Sequence, residues 1–473
     1  MLEGLEIVEL NSKEFRFDNF DFRIDAEYFL KSNLDLLNQI YKIGYKKIDE
    51  FCYVTDGIHT SIDYSETSNI NLISATSPRE NFFDTSRKAF ISEEAHLKNP
   101  RTALKVNDII ISTVGTIGNC AVVTDSILPA NSDRHVGIIR VEKDFLPNYI
   151  STFLLTKYGR FQTWRESTGN VQLNLFIYKI RMLKIAKLSI SFQNKINNLI
   201  NNSNSKRLLS KQTYDLAETL LLETIGLNNF EPSKEPVNIK SLKDSFLTTG
   251  RLDAEYYQKK YEEVINHITT QKYDSLINIV TIKKSIEPGS DVYSEEGIPF
   301  LRVADYNKFG ISDADKKLSL SYCNENAAQI NKLKPKKETI LFSKDGSVGT
   351  AYMLRKDENI ITSGAILHLT VKDKTQIIPE YLTLVLNSKL VQMQAERDAG
   401  GSIILHWRIG EIENVVVPII DYSIQEKIAS LVEESFKLKK QSEQLLETAK
   451  RAVEMAIEEG EASAYRLLQT ISG

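Results

Sequence analysis

The sequence predicts a mixed α/β protein made of two tandem copies of one unit, each closed by a long helix. Three observations predict it. RIDAEYF (Arg23–Phe29) returns as RLDAEYY (Arg251–Tyr257). Runs rich in β-branched residues and bounded by turn formers, such as DIIIST, HVGIIRVE, TILFS and AILHLTV, read as strands in both halves. Toward the C-terminus, apolar and small residues fall into a 4,3 rhythm, the signature of a coiled coil.

The repeat spans most of the chain. Arg251 follows Arg23 by 228 positions, and SKDGSVG (from Ser343) follows STVGTIG (from Ser112) by 231. Gly400 of ERDAGG follows Gly169 of RESTGN by 231, and QEKI at Gln425 follows QNKI at Gln193 by 232. Four anchors in one order at a nearly constant offset define two diverged copies of roughly 230 residues, too long for a solenoid or propeller repeat. Two similar domains and a pseudo-two-fold molecule are expected. The organisation reads as a first mixed domain with its opening element at 1–190, a central helix at 191–226, a linker at 227–250, a second mixed domain at 251–420 and a C-terminal helix at 421–473.

The elements follow in order. LPNYISTFLLTKYGRFQTW and IPEYLTLVLNSKLVQMQAE read as helices, each opened by a proline near its first turn. From Ile424, 4,3 steps land on Ile428, Leu431, Ser435, Leu438, Ser442, Leu445, Ala449, Ala452 and Ala456. The Ser and Ala positions predict close backbone approach. A helix from Ile424 to Gly460 would extend roughly 55 Å. The corresponding segment of copy one is Asn-rich and less regular, with an apolar stripe of Ile196, Leu199, Ile200, Leu208, Leu209, Leu216 and Leu220. The two helices are expected to pack antiparallel. LNNFEPSKEPVN, from Leu227, carries two prolines and marks the boundary between copies. The Arg, Asp and Glu of RIDAEYF and RLDAEYY are expected to cap or pair at a domain–helix junction.

Composition narrows the chemistry. Of 473 residues, 42% are hydrophobic and 26% charged, an ordinary globular balance. The net charge of −4 argues against a uniformly basic surface but leaves room for one basic face. Cys52, Cys120 and Cys323 are far apart and form no CxxC pair, which supports neither a disulfide framework nor a zinc–thiolate site. No secretory leader or apolar run of spanning length is evident, and a cytoplasmic location is expected. No two of the eleven prolines are adjacent, so the DPPY and NPPF signatures of amino-methyltransferases are absent. So are a phosphate loop, a nucleophile elbow and a close pair among the six histidines. GTIG and GSVG read either as strand-to-strand turns or as places where backbone approaches a ligand closely.

The ordered set of motifs resembles the specificity subunits of Type I restriction-modification systems. The order is DGIHTSIDY (Asp56–Tyr64), a strand such as INLISATS or IPFLRVADY, and KVNDIIISTVGTIG or LKPKKETILFSKDGSVG. STGN or DAGG, LFIYKIRMLKIAKLSIS or LHWRIGEIENVVVPII, and Gln-x-Lys-Ile follow. Copy one departs by lacking the counterpart of Pro418. The resemblance implies two tandem target recognition domains separated by two long antiparallel helices, each domain reading one half of a bipartite site on double-stranded DNA. It implies a non-catalytic chain that docks two adenine methyltransferase subunits and the restriction/translocase subunits. S-adenosylmethionine, ATP and Mg would be bound by those partners, with no cofactor or metal in this chain. Half-sites on one face of B-DNA would lie about 34–36 Å apart. A two-domain adaptor without sequence-specific DNA binding, and a standalone nuclease with dispersed carboxylates, are the rival readings.

Base readout needs forked side chains on loops that reach base edges. Phosphate positioning needs Lys, Arg, hydroxyls and backbone N–H groups. Copy one offers His59, Thr60 and Ser61; then Ser112, Thr113 and Thr116, with Asn131, Ser132, Arg134 and His135; then Thr168, Gly169, Asn170, Gln172 and Asn174. Copy two offers Ser343, Lys344 and Ser347, then Ser363, then Arg397, Gly401, Ser402, His406 and Arg408. Lys283, Lys284 and Arg302 stand where a phosphate clamp would form. Each is equally at home as a solvated loop residue, and Trp407 reads as packed.

Overall fold

The computed structural model describes residues 8–84, 89–169 and 171–469. They belong to two compact units, Met1–Leu208 with Lys439–Gly473, and Leu209–Leu438. Each is a mixture of strands and helices, and the boundaries fall inside the two long helices.

In the first unit, β1 (Cys52–Asp56), β2 (Ile109–Ser112), β3 (Cys120–Val122) and β4 (Val136–Val141) form an antiparallel sheet in the order β1-β4-β2-β3. Its central strands are apolar over most of their length, as IIIS and VGIIRV show, because both faces are covered. Ile109, Ile111 and Ile139 join one core cluster, while Ile110 and Ile138 point the other way into another, the period-two alternation of a strand. A smaller sheet sets Ile70–Ile73 between Ala89–Ile91 and Ala130–Ser132.

Helices α1 (Pro147–Leu155) and α2 (Lys157–Glu166) correct the expectation of one uninterrupted helix. Thr156 is extended at ψ 169° between them, and its hydroxyl donates to the Phe153 carbonyl at 2.6 Å. Gly159 packs so closely that a Cβ there would stand 2.2 Å from Leu154 Cα. Helix α3 (Ile190–Thr224) runs unbroken through the Asn-rich stretch.

The second unit repeats the plan. Strands β5 (Val280–Lys284), β6 (Ile340–Ser343), β7 (Ala351–Met353) and β8 (Ile366–Val371) pair in the order β5-β8-β6-β7. Helices α4 (Pro379–Asn387) and α5 (Lys389–Asp398) break at Ser388, whose hydroxyl donates to the Val385 carbonyl at 2.6 Å. Helix α6 (Tyr422–Glu458) ends before Gly460, at φ +91°, and a separate α7 (Glu461–Gln469) follows. The expected single C-terminal helix is therefore two.

The seam lies as the 4,3 rhythm places it. Within the first unit, Ile196 and Ile200 of α3 share a core with Ala449, Ala452, Val453 and Ala456 of α6. Ser203 donates to the Ser442 carbonyl at 2.9 Å, a main-chain contact that only small side chains allow. Within the second unit, Tyr214, Ala217 and Leu221 share a core with Ile428 and Val432. Ser210 and Ser435 each donate to the other's carbonyl, at 2.8 and 2.7 Å. Helix α3 departs from the predicted stripe at Leu208, Leu209 and Leu216, which are half-exposed.

Two junctions explain the repeated phrases. Arg23 pairs with Asp25 at 2.8 Å and donates at 2.6 Å to the Arg165 carbonyl in the last turn of α2. Arg251 pairs with Asp253 at 2.6 Å and donates at 2.8 Å to the Asp398 carbonyl in the last turn of α5. Both arginines satisfy carbonyls that a helix end leaves orphaned. Gln193 and Gln425, buried at the starts of α3 and α6, accept from the N–H groups of Leu146 (2.9 Å) and Ile378 (3.0 Å), which lead into α1 and α4. Their amides donate back to the Leu188 and Ile420 carbonyls at 3.0 Å.

Gln425→Ala strips partners from buried backbone groups and should cost about 2–3 kcal/mol, read as a lower urea midpoint. Buried His368, beside Thr362 at 2.9 Å, has its imidazole pushed down to about 4 by burial, with Lys283 adding to the effect. Unfolded chain takes up that proton first, so this contribution is complete above the ordinary value of 6.5 and fades as pH falls toward about 4. The loss should total about 3 kcal/mol. His368→Gln should flatten that slope in denaturant titrations across this range.

Candidate nucleic-acid interface

Four chain segments of the first unit are tied together at one end of the main sheet by backbone bonds. Ile58 N–H donates to Ser132 O (2.8 Å), Thr113 N–H to His135 O (3.1 Å) and Leu175 N–H to Thr113 O (2.9 Å). Thr168 and Asn174 exchange two bonds at 3.0 and 2.9 Å across the glycine turn. Gly115 and Gly118, at φ +66° and +79°, turn the chain between β2 and β3. Gly57 permits the closest approach, since a Cβ there would stand 2.0 Å from the Asp133 carbonyl oxygen. GTIG is thus a structural turn that also brings backbone to a cleft.

That cleft is open, about 840 Å³, and lined by His59, Thr113, Thr116, Arg134, His135, Gln172 and Asn174 among others. Seven of the residues singled out from sequence, drawn from all four segments, therefore meet. Thr60 and Ser61 are exposed on the same loop as His59, and Asn170 lies outside the described residues.

The cleft's charges are mostly engaged. Asp56 meets Arg101 at 2.7 Å and His59 at 2.5 Å. Burial acts to raise its carboxyl, but hydrogen bonds from Arg101 and His59 hold it below the usual range. His135 Nδ1 is 3.2 Å from Asp133. Arg134 is exposed, and among the described residues its guanidinium has the His135 ring, at 3.5 Å, as its polar neighbour.

The second unit builds the same frame from different side chains. Lys344 N–H donates to Ala365 O (2.9 Å), Trp407 N–H to Lys344 O (2.7 Å), and Gly400 and His406 exchange bonds at 3.1 and 2.7 Å. Ser347, Ser402, His406, Arg408, Lys283 and Lys284 are exposed. His406 bonds to Asp345 at 2.8 Å, Arg302 pairs with Asp305 and Asp315, and Lys344 pairs with Asp345. Trp407 is core, 5.7 Å from Phe342.

Several expected contact residues prove to be framework. Ser112, Asn131, Ser132, Ser343 and Ser363 are buried. Ser112 donates to Ala75 O at 2.6 Å, and Ser343 donates to Ser347 O while accepting from Thr350 N–H. Asn131 is held by His96, the Asn99 carbonyl and Thr102. Arg397 turns inward to Asp398 at 2.6 Å and lies 5.2 Å from the Tyr256 ring. Thr168 is partly buried and spent on the turn. Small polar residues near a glycine turn serve solvent or interior equally well, and partners arriving from distant segments decide which. The sequence reading missed Ser74 and Thr76, which line the cleft from the loop after Ile70–Ile73. Ser112 and Thr116 both bond to Ala75 O and anchor that loop.

All three cysteines are buried, and burial pushes the Cys120 thiol up to about 11. Among the described residues no cluster of His, Cys, Asp and Glu is arranged to hold a metal, and no helix is long and apolar enough to cross a membrane.

Residues 268–448 match the family model of the Type I restriction modification DNA specificity domain. The chain is 25% identical over 202 residues to the Type I restriction enzyme EcoBI specificity subunit of Escherichia coli, covering 40% of this chain and 41% of that protein. The match thus spans less than half the length of that relative. Among solved structures, the Type I restriction-modification S subunit from M. genitalium aligns over 90% of this chain and 95% of its own, at 13% identity and a TM-score of 0.39. The HsdS subunit from Thermoanaerobacter tengcongensis aligns over 90% and 95%, at 14% identity and a TM-score of 0.27. The second half of the chain carries a DNA specificity domain. The chain is thus similar to Type I restriction-modification specificity subunits, with the family match lying within residues 268–448.

Asn131→Ala should lower stability by about 2 kcal/mol through the partners it abandons. Gln172→Ala, on the exposed hairpin, should leave stability within about 0.5 kcal/mol of the parent. Thermal unfolding of the two variants distinguishes framework from tip.

Proposed function

We propose that this chain is the sequence-specific DNA recognition subunit of a Type I restriction-modification complex, with two tandem recognition domains joined through long helices. Each domain reads one part of a bipartite duplex site. The reading rests chiefly on one observation: the same backbone frame occurs in both units and carries different exposed side chains in each. A common frame suits a common task, docking on a duplex, and different tips suit different sequences. Methylation and cleavage belong to partners in this reading, with S-adenosylmethionine, ATP and Mg bound there. The half-exposed Leu208, Leu209 and Leu216 of α3 offer apolar surface for a methyltransferase subunit.

The test is adenine-methylation mapping by long-read sequencing, with the chain co-expressed beside its neighbouring methyltransferase in a host free of such systems. One split motif, two short blocks around an unspecified gap, is expected. Exchanging residues 50–190 for another chain's equivalent should change one block only. Co-purification without methylation would favour the adaptor reading. Binding by the assembled complex should weaken steeply with salt, with a slope of about −0.9 per phosphate contact.

A further inference from the structure

The backbone bonds of the two frames correspond residue by residue at one corner, and there their chemistry is opposite. Ile58 bridges Asp133 in the first unit, and Ile286 bridges Ser363 in the second. Asp133 N–H donates to Ile73 O, and Ser363 N–H to Leu301 O, both at 2.9 Å. These bonds make Glu287 the counterpart of His59, Gly364 that of Arg134, and Ala365 that of His135. The first unit presents an exposed guanidinium without a carboxylate partner among the described residues, flanked by two imidazoles already bonded to Asp56 and Asp133. The second presents an exposed carboxylate, Glu287, that forms no ion pair among the described residues. Glu287 lies over Gly364, where a Cβ would stand 2.9 Å from Glu287 Oε1. The missing side chain at 364 makes the room that the carboxylate occupies.

From this inversion we infer that Arg134 and Glu287 are specificity-determining residues of opposite hydrogen-bond sense. Arg134 selects a guanine in the half-site read by the first unit, and Glu287 selects a cytosine in the half-site read by the second. The inference rests on the DNA-recognition reading. An arginine fork matches guanine O6 and N7, and a carboxylate accepts from the cytosine N4 amino group. A carboxylate facing the duplex is repelled by phosphates, so its favourable role there is to meet an amino donor in the groove. Neither side chain is held by the framework, so changing it alters the surface and leaves the frame intact.

The experiment maps methylation by the full complex carrying parent chain, Arg134→Ala or Glu287→Gln, and measures each complex on duplexes with all four base pairs at the affected position. The parent should give a split motif with a guanine in one block and a cytosine in the other. Arg134→Ala should relax the guanine position alone, lowering discrimination at least about 5-fold. Glu287→Gln should relax the cytosine position in the other block alone. Gly364→Ala, which crowds Glu287 without removing it, should weaken the same cytosine preference. A parent motif with neither preference changed in the variants overturns the inference while the recognition reading stands. A uniform loss of methylation at every site also overturns it, because that marks a phosphate contact. Absence of any parent motif overturns both.

Discussion

Backbone polar groups at the junction between sheet, short helices and long helix must be bonded because water does not reach them, and four glutamines meet that demand. Gln193 and Gln425 join the N–H that leads into α1 or α4 to a carbonyl before the long helix. Each unit has a two-stranded sheet, Tyr45–Lys47 with Lys184–Ala186 in the first and Tyr273–Ser275 with Val416–Pro418 in the second, and Gln162 and Gln394 clasp these, each accepting from and donating to one residue, Lys184 or Val416. A side-chain amide carries both donor and acceptor, so one residue settles two orphans. Tyr149 and Tyr381 add the same hydroxyl bond to Ala186 and Pro418. That Pro418 has an alanine counterpart matters little here, because the group used is a backbone carbonyl.

The loop ends depend on this fixed base. Once α2 or α5 is anchored, with Arg23 or Arg251 bonded to its last turn, the glycine turn that follows is positioned against the β2–β3 or β6–β7 turn. The bonds that complete the frame run almost wholly between main-chain atoms. Sheet burial, helix anchoring and loop placement are thus successive consequences of satisfying the same backbone groups, and the exposed chemistry comes last.

Much of this was legible in the chain because repetition supplies an internal comparison. RIDAEYF, the glycine turns and QNKI each proved to be a junction whose geometry is made twice. The heptad positions from Ile428 to Ala456 were readable because seam residues must be apolar or small, and all but the half-buried Leu431 are buried. The breaks at Thr156 and Ser388 were not readable, because apolar residues continue across them and a hydroxyl bonded to a carbonyl three residues back leaves no periodic trace. The burial of Asn131 depends on His96, Asn99 and Thr102 arriving from another segment, which local pattern does not report. Glu287 is not picked out by a search for Lys, Arg, amide and hydroxyl side chains. Carrying the repeat offset from His59 through to position 287 would have found it.

The main-chain frame has an evolutionary consequence. Val114 and Asp345 occupy the same bridge position, as do Asn174 and His406, and side chains so unlike are tolerated because the bridge itself is made of main-chain atoms, although Asp345 and His406 add a side-chain contact across theirs. Substitutions at such tips are nearly neutral for folding, so a lineage can accumulate them without losing the protein. Innovation at the surface is thereby uncoupled from the demands of stability, and a duplicated copy is free to diverge in what it contacts while remaining the same shape.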